Sequence, residues 1–386
     1  MFQSDGFRKA RLATLIAFLI NGFSVGNFVS RIPDFKSELG ISNGVLGASL
    51  FCASIGVLSA LRPASRSAAK YGSGPVTRYA AFTLALAVPL VGLLFNLLWF
   101  LISLFIYGVL SSVHDLSMNA HAAALENKAG KRVMSKFHAM WSIGGLTGGA
   151  IGGLIASADI AIRLHSIVIG IFILLIAFLT KDWFLPANAD QHIFEKHEKR
   201  KAPKKFIILG LLGLCGALGE GAASDWGGVL AREAFGASPF MSALPYVFFS
   251  FTMVAGRFSG DFLAHKFGVV RLISVSGLIA GFGLTAGLLI GNIYGVILGW
   301  FLLGIGLSTV IPMMISATGT IANEKYPGQV SAAEGVALVT GVAYFGFVIG
   351  PPMIGFLSDS LTLRWAMLAP AVLAIIFGVS AKKVLS

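Results

Sequence analysis

The chain has 386 residues, of which 56% are hydrophobic and only 12% are charged, and its mean hydropathy is +0.83. No soluble globular domain needs that much apolar surface, so the composition excludes an ordinary soluble fold. A formal net charge of +12 is compatible with a nucleic-acid partner, and the positions of the basic residues along the chain test that alternative.

Twelve apolar runs follow one another along the chain, each close to the roughly 20 residues that a helix needs to cross a bilayer. The runs cover residues 10–31, 42–62, 75–95, 97–120, 134–157, 162–184, 205–231, 239–260, 270–290, 293–318, 328–357 and 363–381. The sequence therefore predicts an all-α membrane protein with 12 transmembrane helices embedded in a lipid bilayer.

The basic residues are distributed unevenly between the two sides of these runs. An even number of spans puts both termini on one side, and 24 of the 29 Lys and Arg residues fall on that side. The other side keeps Arg31, Lys36, Arg163, Arg232 and Arg364. Because this asymmetry follows the positive-inside rule, it indicates orientation and not a nucleic-acid partner. We expect a multi-pass membrane protein with both termini in the cytoplasm.

The first run carries a polar and aromatic face. Asn21, Ser24, Phe28 and Arg31 recur at helical spacing, which suits the wall of a substrate cavity. We predict substrate contacts for the first three residues and a gating role for Arg31.

The fourth run ends in "VHDLSMNAHAAALE", where Asp115 and Asn119 share one helical face. A charge at the bilayer centre costs roughly 2.5–3.5 kcal/mol on insertion scales, so a carboxylate there indicates function. We predict that Asp115 couples transport to protons and that Asn119 binds substrate. His114 and His121 nearby suit either ordinary helix interfaces or a proton relay.

The fifth run contributes two further predicted substrate contacts, His138 and Trp141. Residues 182–205 then form the most polar stretch of the chain and separate six runs from six. We predict an N-terminal half over residues 1–184, a cytoplasmic linker over 185–204 and a C-terminal half over 205–386.

The seventh run places Glu220 near its centre, and we predict it as the second proton-coupling residue. A hydrogen bond to Asn21 is the structural alternative for this side chain. Ser224 is a predicted substrate contact. Asp225 lies one turn further toward the outer mouth, where we expect it to pair with Arg31 or with Arg232 in an outer gate.

Short motifs recur at one offset of 196 residues, which indicates a duplication. "GIS" at 40–42 recurs as "GAS" at 236–238, and "KYG" at 70–72 recurs as "KFG" at 266–268. The loop "GRFSGDFLAHKFGVVR", residues 256–271, resembles the conserved loop of the major facilitator superfamily. In that family an acidic residue directly precedes the basic one, whereas His265 stands there here. Asp261, one turn earlier on the same face, is placed to replace the missing charge, and we predict both residues in a gate, with an ordinary cytoplasmic helix cap as the alternative.

Two further resemblances refine this interpretation. The Asp-x-x-x-Asn pattern of Asp115 and Asn119 resembles the fucose-permease branch, in which the acidic residue is the proton-coupling group. The stretches "SRIP", "EGAASDWGGVL" and "GPPMIGFLSD" resemble a bacterial subgroup that includes a rhizopine-transport protein. The resemblance covers essentially the whole chain. It implies two pseudo-symmetric six-helix halves that face each other across a midplane cavity, and a monomer.

These observations predict a secondary active, proton-coupled transporter. No Lys or Arg falls in the middle of a run, which favours a small neutral or cationic polar metabolite such as a sugar, cyclitol or amino sugar. The alternative is a proton-driven exporter of amphipathic or cationic compounds. We find no catalytic or metal-ligand motif, so we expect neither an enzyme nor a cofactor.

Overall fold

The computed structural model describes residues 5–130, 133–190, 203–326, 329–330 and 332–385. Within these ranges the chain forms fourteen α-helices and one short 3-10 turn, Ala187–Ala189. The helices are α1 (Asp5–Leu39), α2 (Asn43–Tyr71), α3 (Ser73–Gly92), α4 (Leu97–Ala129), α5 (Met134–Ser157), α6 (Ile162–Thr180), α7 (Lys204–Phe235), α8 (Pro239–Phe267), α9 (Val269–Ile290), α10 (Ile293–Leu307), α11 (Val310–Lys325), α12 (Ala332–Leu361), α13 (Leu363–Ala366) and α14 (Leu368–Leu385).

Twelve helical segments are long and apolar enough to cross a membrane, which confirms the predicted number of spans. The tenth segment consists of α10 and α11, and the last consists of α13 and α14. The break in the tenth segment lies at Ser308 and Thr309. Pro312 accounts for it, because a proline ring clashes with the carbonyl group four residues earlier, here that of Ser308.

The offset of 196 residues is visible in the backbone. Gly40 and Gly236 have φ values of 62° and 61°, and Gly72 and Gly268 have φ values of 85° and 79°. These glycines end or join helices in a left-handed conformation that other residues rarely adopt. Asn96 and Asn292, again 196 residues apart, cap α4 and α10 with their side chains.

The chain groups into two compact units. Unit 1 comprises Met1–Gly40 and Ser49–His197, and unit 2 comprises Ile41–Ala48 and Glu198–Ser386. In unit 1, α1 packs closely on α5 through facing glycines. A side chain at Gly22 or Gly26 would overlap the backbone of α5, so glycine is required for this approach.

The first turns of α2 group with unit 2. The Asp359 carboxylate accepts hydrogen bonds from the Gly44 N–H at 3.1 and 3.2 Å, at the N-terminus of α2. Carboxylates hold helix N-termini in unit 1 as well: Glu126 accepts from the Met134 N–H at 2.8 Å and Asp190 from the Ser73 N–H at 3.1 Å. A negative charge is favourable there because the first N–H groups of a helix have no partner within it.

Candidate functional site

Helices α1 and α4 meet in a regular antiparallel register that organises the polar residues of unit 1. Contacting pairs recur every seven residues, two polar pairs being followed by two aromatic pairs. The pairs are Thr14 with His121, Asn21 with His114, Phe28 with Tyr107, and Phe35 with Phe100. A seven-residue period keeps one stripe of each helix facing its neighbour.

The first polar pair has a fixed proton arrangement. The Thr14 hydroxyl donates to the Ala10 carbonyl oxygen at 2.8 Å, so its oxygen accepts from His121 Nδ1, also at 2.8 Å. The second ring nitrogen, Nε2, accepts from the Leu185 N–H at 3.0 Å. His121 is therefore a neutral, fully satisfied interface histidine, which is one of the two roles that the sequence left open.

The second polar pair engages both ends of the Asn21 amide within unit 1. Trp141 Nε1–H donates to Asn21 Oδ1 at 2.9 Å, which fixes the orientation of the amide. The amide nitrogen therefore donates to His114 Nδ1 at 3.1 Å. Each end of the Asn21 amide thus has a partner within unit 1, and the bond between Asn21 and Glu220 stays an untested alternative. His114 is fully buried, and its Nε2 has no hydrogen-bond partner among the described residues.

Ser24, Phe28 and Arg31 line a small cavity inside unit 1 together with Tyr107 and His165. The Ser24 and Tyr107 hydroxyls are 2.9 Å apart. The cavity measures about 30 Å³, which is room for a water molecule and not for a sugar. The sequence reasoning missed Tyr107, although its seven-residue spacing from Phe100 and His114 is a readable signal.

Asp115 lies on a partly exposed stripe of α4. Ser111, Asp115, Asn119 and Ala123 are spaced four apart and are all partly exposed, whereas the neighbouring positions 114, 117, 118 and 121 are buried. Asn119 Nδ2 donates to the Asp115 carboxylate at 3.2 Å and to its carbonyl oxygen at 2.9 Å. No basic side chain of the described residues pairs with Asp115.

The two predicted contacts on α5 differ in their surroundings. Trp141 is partly buried and donates to Asn21, as described above. His138 is exposed and packs edge-on against Phe18, with 5.3 Å between ring centroids. Both remain predicted substrate contacts.

Arg31 forms an ion pair on its own helix. Its Nε reaches the Asp34 carboxylate at 2.6 Å, and its Nη2 donates to the Ile160 carbonyl oxygen at 2.8 Å. The other predicted partner of Asp225, Arg232, donates to the Ser242 hydroxyl at 3.1 Å. Within the described part of unit 2, Arg232 forms no ion pair with Asp225, so that predicted pairing is wrong, whereas the pairing of Asp225 with Arg31 stays a prediction.

In unit 2, Glu220 pairs with a basic residue that the sequence reasoning left at a helix end. Arg257 Nη2 lies 3.5 Å from Glu220 Oε1, and the two side chains are 27% and 17% exposed. At 1.5 Å per residue, Glu220 lies about 1 Å and Arg257 about 6 Å along the axis from the middle of its own helix. The expectation that no basic side chain lies at depth is wrong for Arg257, because its long side chain reaches the carboxylate on the neighbouring helix.

The residues that follow Glu220 on α7 differ in burial. Ser224 is partly exposed, and its hydroxyl donates to the Glu220 carbonyl oxygen at 3.1 Å. Asp225 is also partly exposed, and no described residue donates a hydrogen bond to it or forms an ion pair with it. Trp226 is fully buried.

The predicted gate on α8 is described only in part. His265 is exposed in the last turn of α8. The side chain of Asp261 lies outside the described residues, and so does the predicted pairing of the two. They remain predicted gate residues.

Comparison with known proteins identifies one family. The sequence profile of the Major Facilitator Superfamily matches residues 14–333 and 209–385. An uncharacterized transporter of Sinorhizobium fredii, y4wD, is 30% identical over 355 residues, which cover 90% of each chain. The membrane protein MosC of Rhizobium meliloti is 27% identical over 370 residues, 95% of this chain and 88% of that one.

Solved structures share the fold at low sequence identity. A bacterial homologue of the human lysosomal transporter Spinster superposes with a TM-score of 0.77 at 14% identity, covering 99% of this chain and 97% of that one. The nucleoside transporter NupG superposes with a TM-score of 0.75 at 13% identity, covering 97% and 98%. At this level of identity the similarity shows the fold alone.

Proposed function

Because the chain belongs to the Major Facilitator Superfamily and is a multi-pass membrane transporter, we propose that it is a secondary active, proton-coupled carrier. Its solute is a small neutral or cationic polar metabolite, such as a sugar, a cyclitol or an amino sugar. It works by alternating access, in which the solute site opens first to one side of the membrane and then to the other.

The observation that carries this proposal is the environment of Asp115. The residue lies about 3 Å along the axis from the middle of α4, well inside a hydrocarbon core of about 30 Å. Its stripe carries the small and polar residues Ser111 and Asn119, unlike a surface that faces lipid. Asn119 is its hydrogen-bond donor and no described cation compensates its charge. A carboxyl group in this setting is suited to taking up a proton, which neutralises it.

The charges at membrane depth support the solute class. Arg257 is compensated by Glu220, so this pair contributes no net charge. Asp115 and Asp225 lack a basic partner among the described residues and leave an excess of negative charge. Such an environment favours neutral or cationic solutes over multiply charged anions, which need uncompensated cations.

Glu220 takes part as one half of an ion pair. Its carboxylate lies 3.5 Å from the Arg257 guanidinium group, which compensates its charge. We propose that Ser224, on the same partly exposed stripe of α7, contributes to solute binding. The remaining predicted contacts of unit 1, Asn119 and His138 among them, belong to the same proposal.

We place the carrier in the bacterial inner membrane as a monomer with both termini in the cytoplasm. The excess of basic residues on one side of the twelve spans supports this orientation.

The experiment begins with a thermal-shift screen of the purified protein against myo-inositol, L-fucose and D-glucosamine, because a ligand stabilises the state that it binds. Proteoliposomes are then loaded and diluted to impose an inward proton gradient. We expect accumulation of a stabilising compound that a protonophore abolishes. If none of these compounds stabilised the protein, the proposed solute class would be contradicted. If uptake were the same with and without the proton gradient, proton coupling would be contradicted. In everted vesicles, proton-driven flux in the export direction would favour the exporter alternative.

A further inference from the structure

We infer that Asp225, rather than Glu220, is the carboxyl group of α7 that takes up the coupling proton. This inference rests on the proposed function and names one of its working residues. It replaces the gating role that the sequence predicts for Asp225, because Arg232, the predicted partner within unit 2, donates to the Ser242 hydroxyl instead.

Asp225 lies at membrane depth. α7 has 32 residues, Lys204–Phe235. At 1.5 Å per residue, Asp225 is about 8 Å along the axis from the middle of the helix, within the half-thickness of about 15 Å of a bilayer core. The residue as a whole is partly exposed.

The neighbours of Asp225 on α7 provide no compensation. The Ser224 hydroxyl is directed to the Glu220 carbonyl oxygen. Trp226 Nε1 is buried without a hydrogen-bond partner among the described residues, so it does not donate to Asp225. Arg232 lies seven residues further along and donates to the Ser242 hydroxyl.

The neighbouring helices provide none either. The helices that pack on α7 are α8, α10, α11, α12, α13 and α14. Their charged or histidine side chains in the described part are Arg257, His265, Lys266, Glu324, Lys325, Glu334, Asp359, Arg364, Lys382 and Lys383.

Each of these groups lies elsewhere. Arg257 pairs with Glu220, Asp359 holds the N-terminus of α2, and Arg364 donates to the Leu288 carbonyl oxygen at 2.6 and 2.9 Å. The others lie near helix ends on the side of the unit where α7 begins, about 30 Å along α7 from Asp225. None forms an ion pair with Asp225.

The contrast with Glu220 decides between the two carboxylates. Glu220 has the Arg257 guanidinium group as a counter-charge at 3.5 Å. Asp225 has no such counter-charge among the described residues. Taking up a proton neutralises its carboxylate and removes the free-energy cost of holding a charge inside the bilayer. In the transport step, Asp225 accepts a proton from water on one side of the membrane. It returns the proton to water on the other side, and no other group is consumed.

The test is labelling with dicyclohexylcarbodiimide, which attacks protonated carboxyl groups in apolar surroundings and leaves a stable acylurea. The protein is labelled in liposomes, digested and mapped by mass spectrometry. We expect labelling at Asp225 and not at Glu220. Between about pH 6 and about pH 9 the labelling should fall at least about tenfold, because the reactive protonated form disappears as pH rises. No solute is needed for this measurement.

Variants sharpen the comparison. Asp225→Asn should abolish the label and proton-driven accumulation, while Asp225→Glu should retain the label. Arg257→Gln should make Glu220 reactive, because it removes the counter-charge. Asp159→Asn is the matched control, since Asp159 is exposed in the loop after α5 and has a φ of 55°, which asparagine tolerates.

Two labelling results would overturn the inference: a label on Glu220 in the unmodified protein, or no label on Asp225 at any pH. A folded Asp225→Asn protein that still accumulates solute with the proton gradient would overturn the coupling role. Labelling of Asp225 in a protein that shows no proton-driven transport would refute the proposed function and leave the proton site standing.

Discussion

Neutralising one partner of the pair between Glu220 and Arg257 should destabilise the protein more than neutralising both. At a separation of 3.5 Å and an effective dielectric constant of about 20, the direct attraction is about 5 kcal/mol. Desolvation and the partial exposure of both side chains, 17% and 27%, reduce the net value. We expect Glu220→Gln or Arg257→Gln to lower the free energy of unfolding by about 2–3 kcal/mol, and the double variant by about 1 kcal/mol.

The assay is unfolding by sodium dodecyl sulfate in mixed micelles, followed by circular dichroism. Arg271→Gln is the control, because Arg271 is an exposed residue near the start of α9 and should change stability by less than about 0.5 kcal/mol. A double variant whose loss equals the sum of the two single losses would show that the residues are not coupled. That result would refute the reasoning.

Two further predictions concern unit 1, and the first has its control, Gly341, in unit 2. Gly22→Ala should lower the free energy of unfolding by at least about 1–3 kcal/mol, because the new methyl group overlaps the Trp141 carbonyl oxygen. Gly341→Ala should leave stability unchanged or raise it, because the methyl group there meets open space. Thermal unfolding of the purified proteins measures both, and equal effects would contradict the packing. Trp141→Phe should lower the free energy of unfolding by about 0.5–1.5 kcal/mol and release the amide of Asn21. In the unmodified protein Asn21 donates to His114 Nδ1, so the imidazole proton is on Nε2; in the variant, ¹⁵N spectra of His114 should no longer show this single tautomer. An unchanged spectrum would contradict the assigned hydrogen bonds.

The fold could be predicted because the bilayer imposes simple rules. A helix must be apolar over about 20 residues to span it, so twelve runs gave twelve segments. The motifs that recur 196 residues apart indicated a duplication, and their glycines at 40, 72, 236 and 268 all have positive φ values. That the first turns of α2 group with unit 2 could not be predicted, because this depends on the contact between Gly44 and Asp359, which lie 315 residues apart.

The partners of individual side chains were harder to predict. Helical spacing indicates which residues of one helix share a face, but it does not give the register between two helices. Only that register brings Asn21 to His114, and only the reach of a long side chain brings Arg257 to Glu220. The pair of Asp115 and Asn119 was predictable because both residues lie on one helix, four positions apart.

The most direct test of the account replaces Asp115 with asparagine and compares two modes of transport in the same proteoliposomes. We predict that Asp115→Asn lowers proton-driven accumulation of the stabilising compound at least about tenfold, while solute exchange without a gradient persists. The control Asp159→Asn, a change of the same type at an exposed loop position, should leave both modes unchanged. An Asp115→Asn protein that accumulates solute as the unmodified protein does, with the same dependence on pH, would contradict the account.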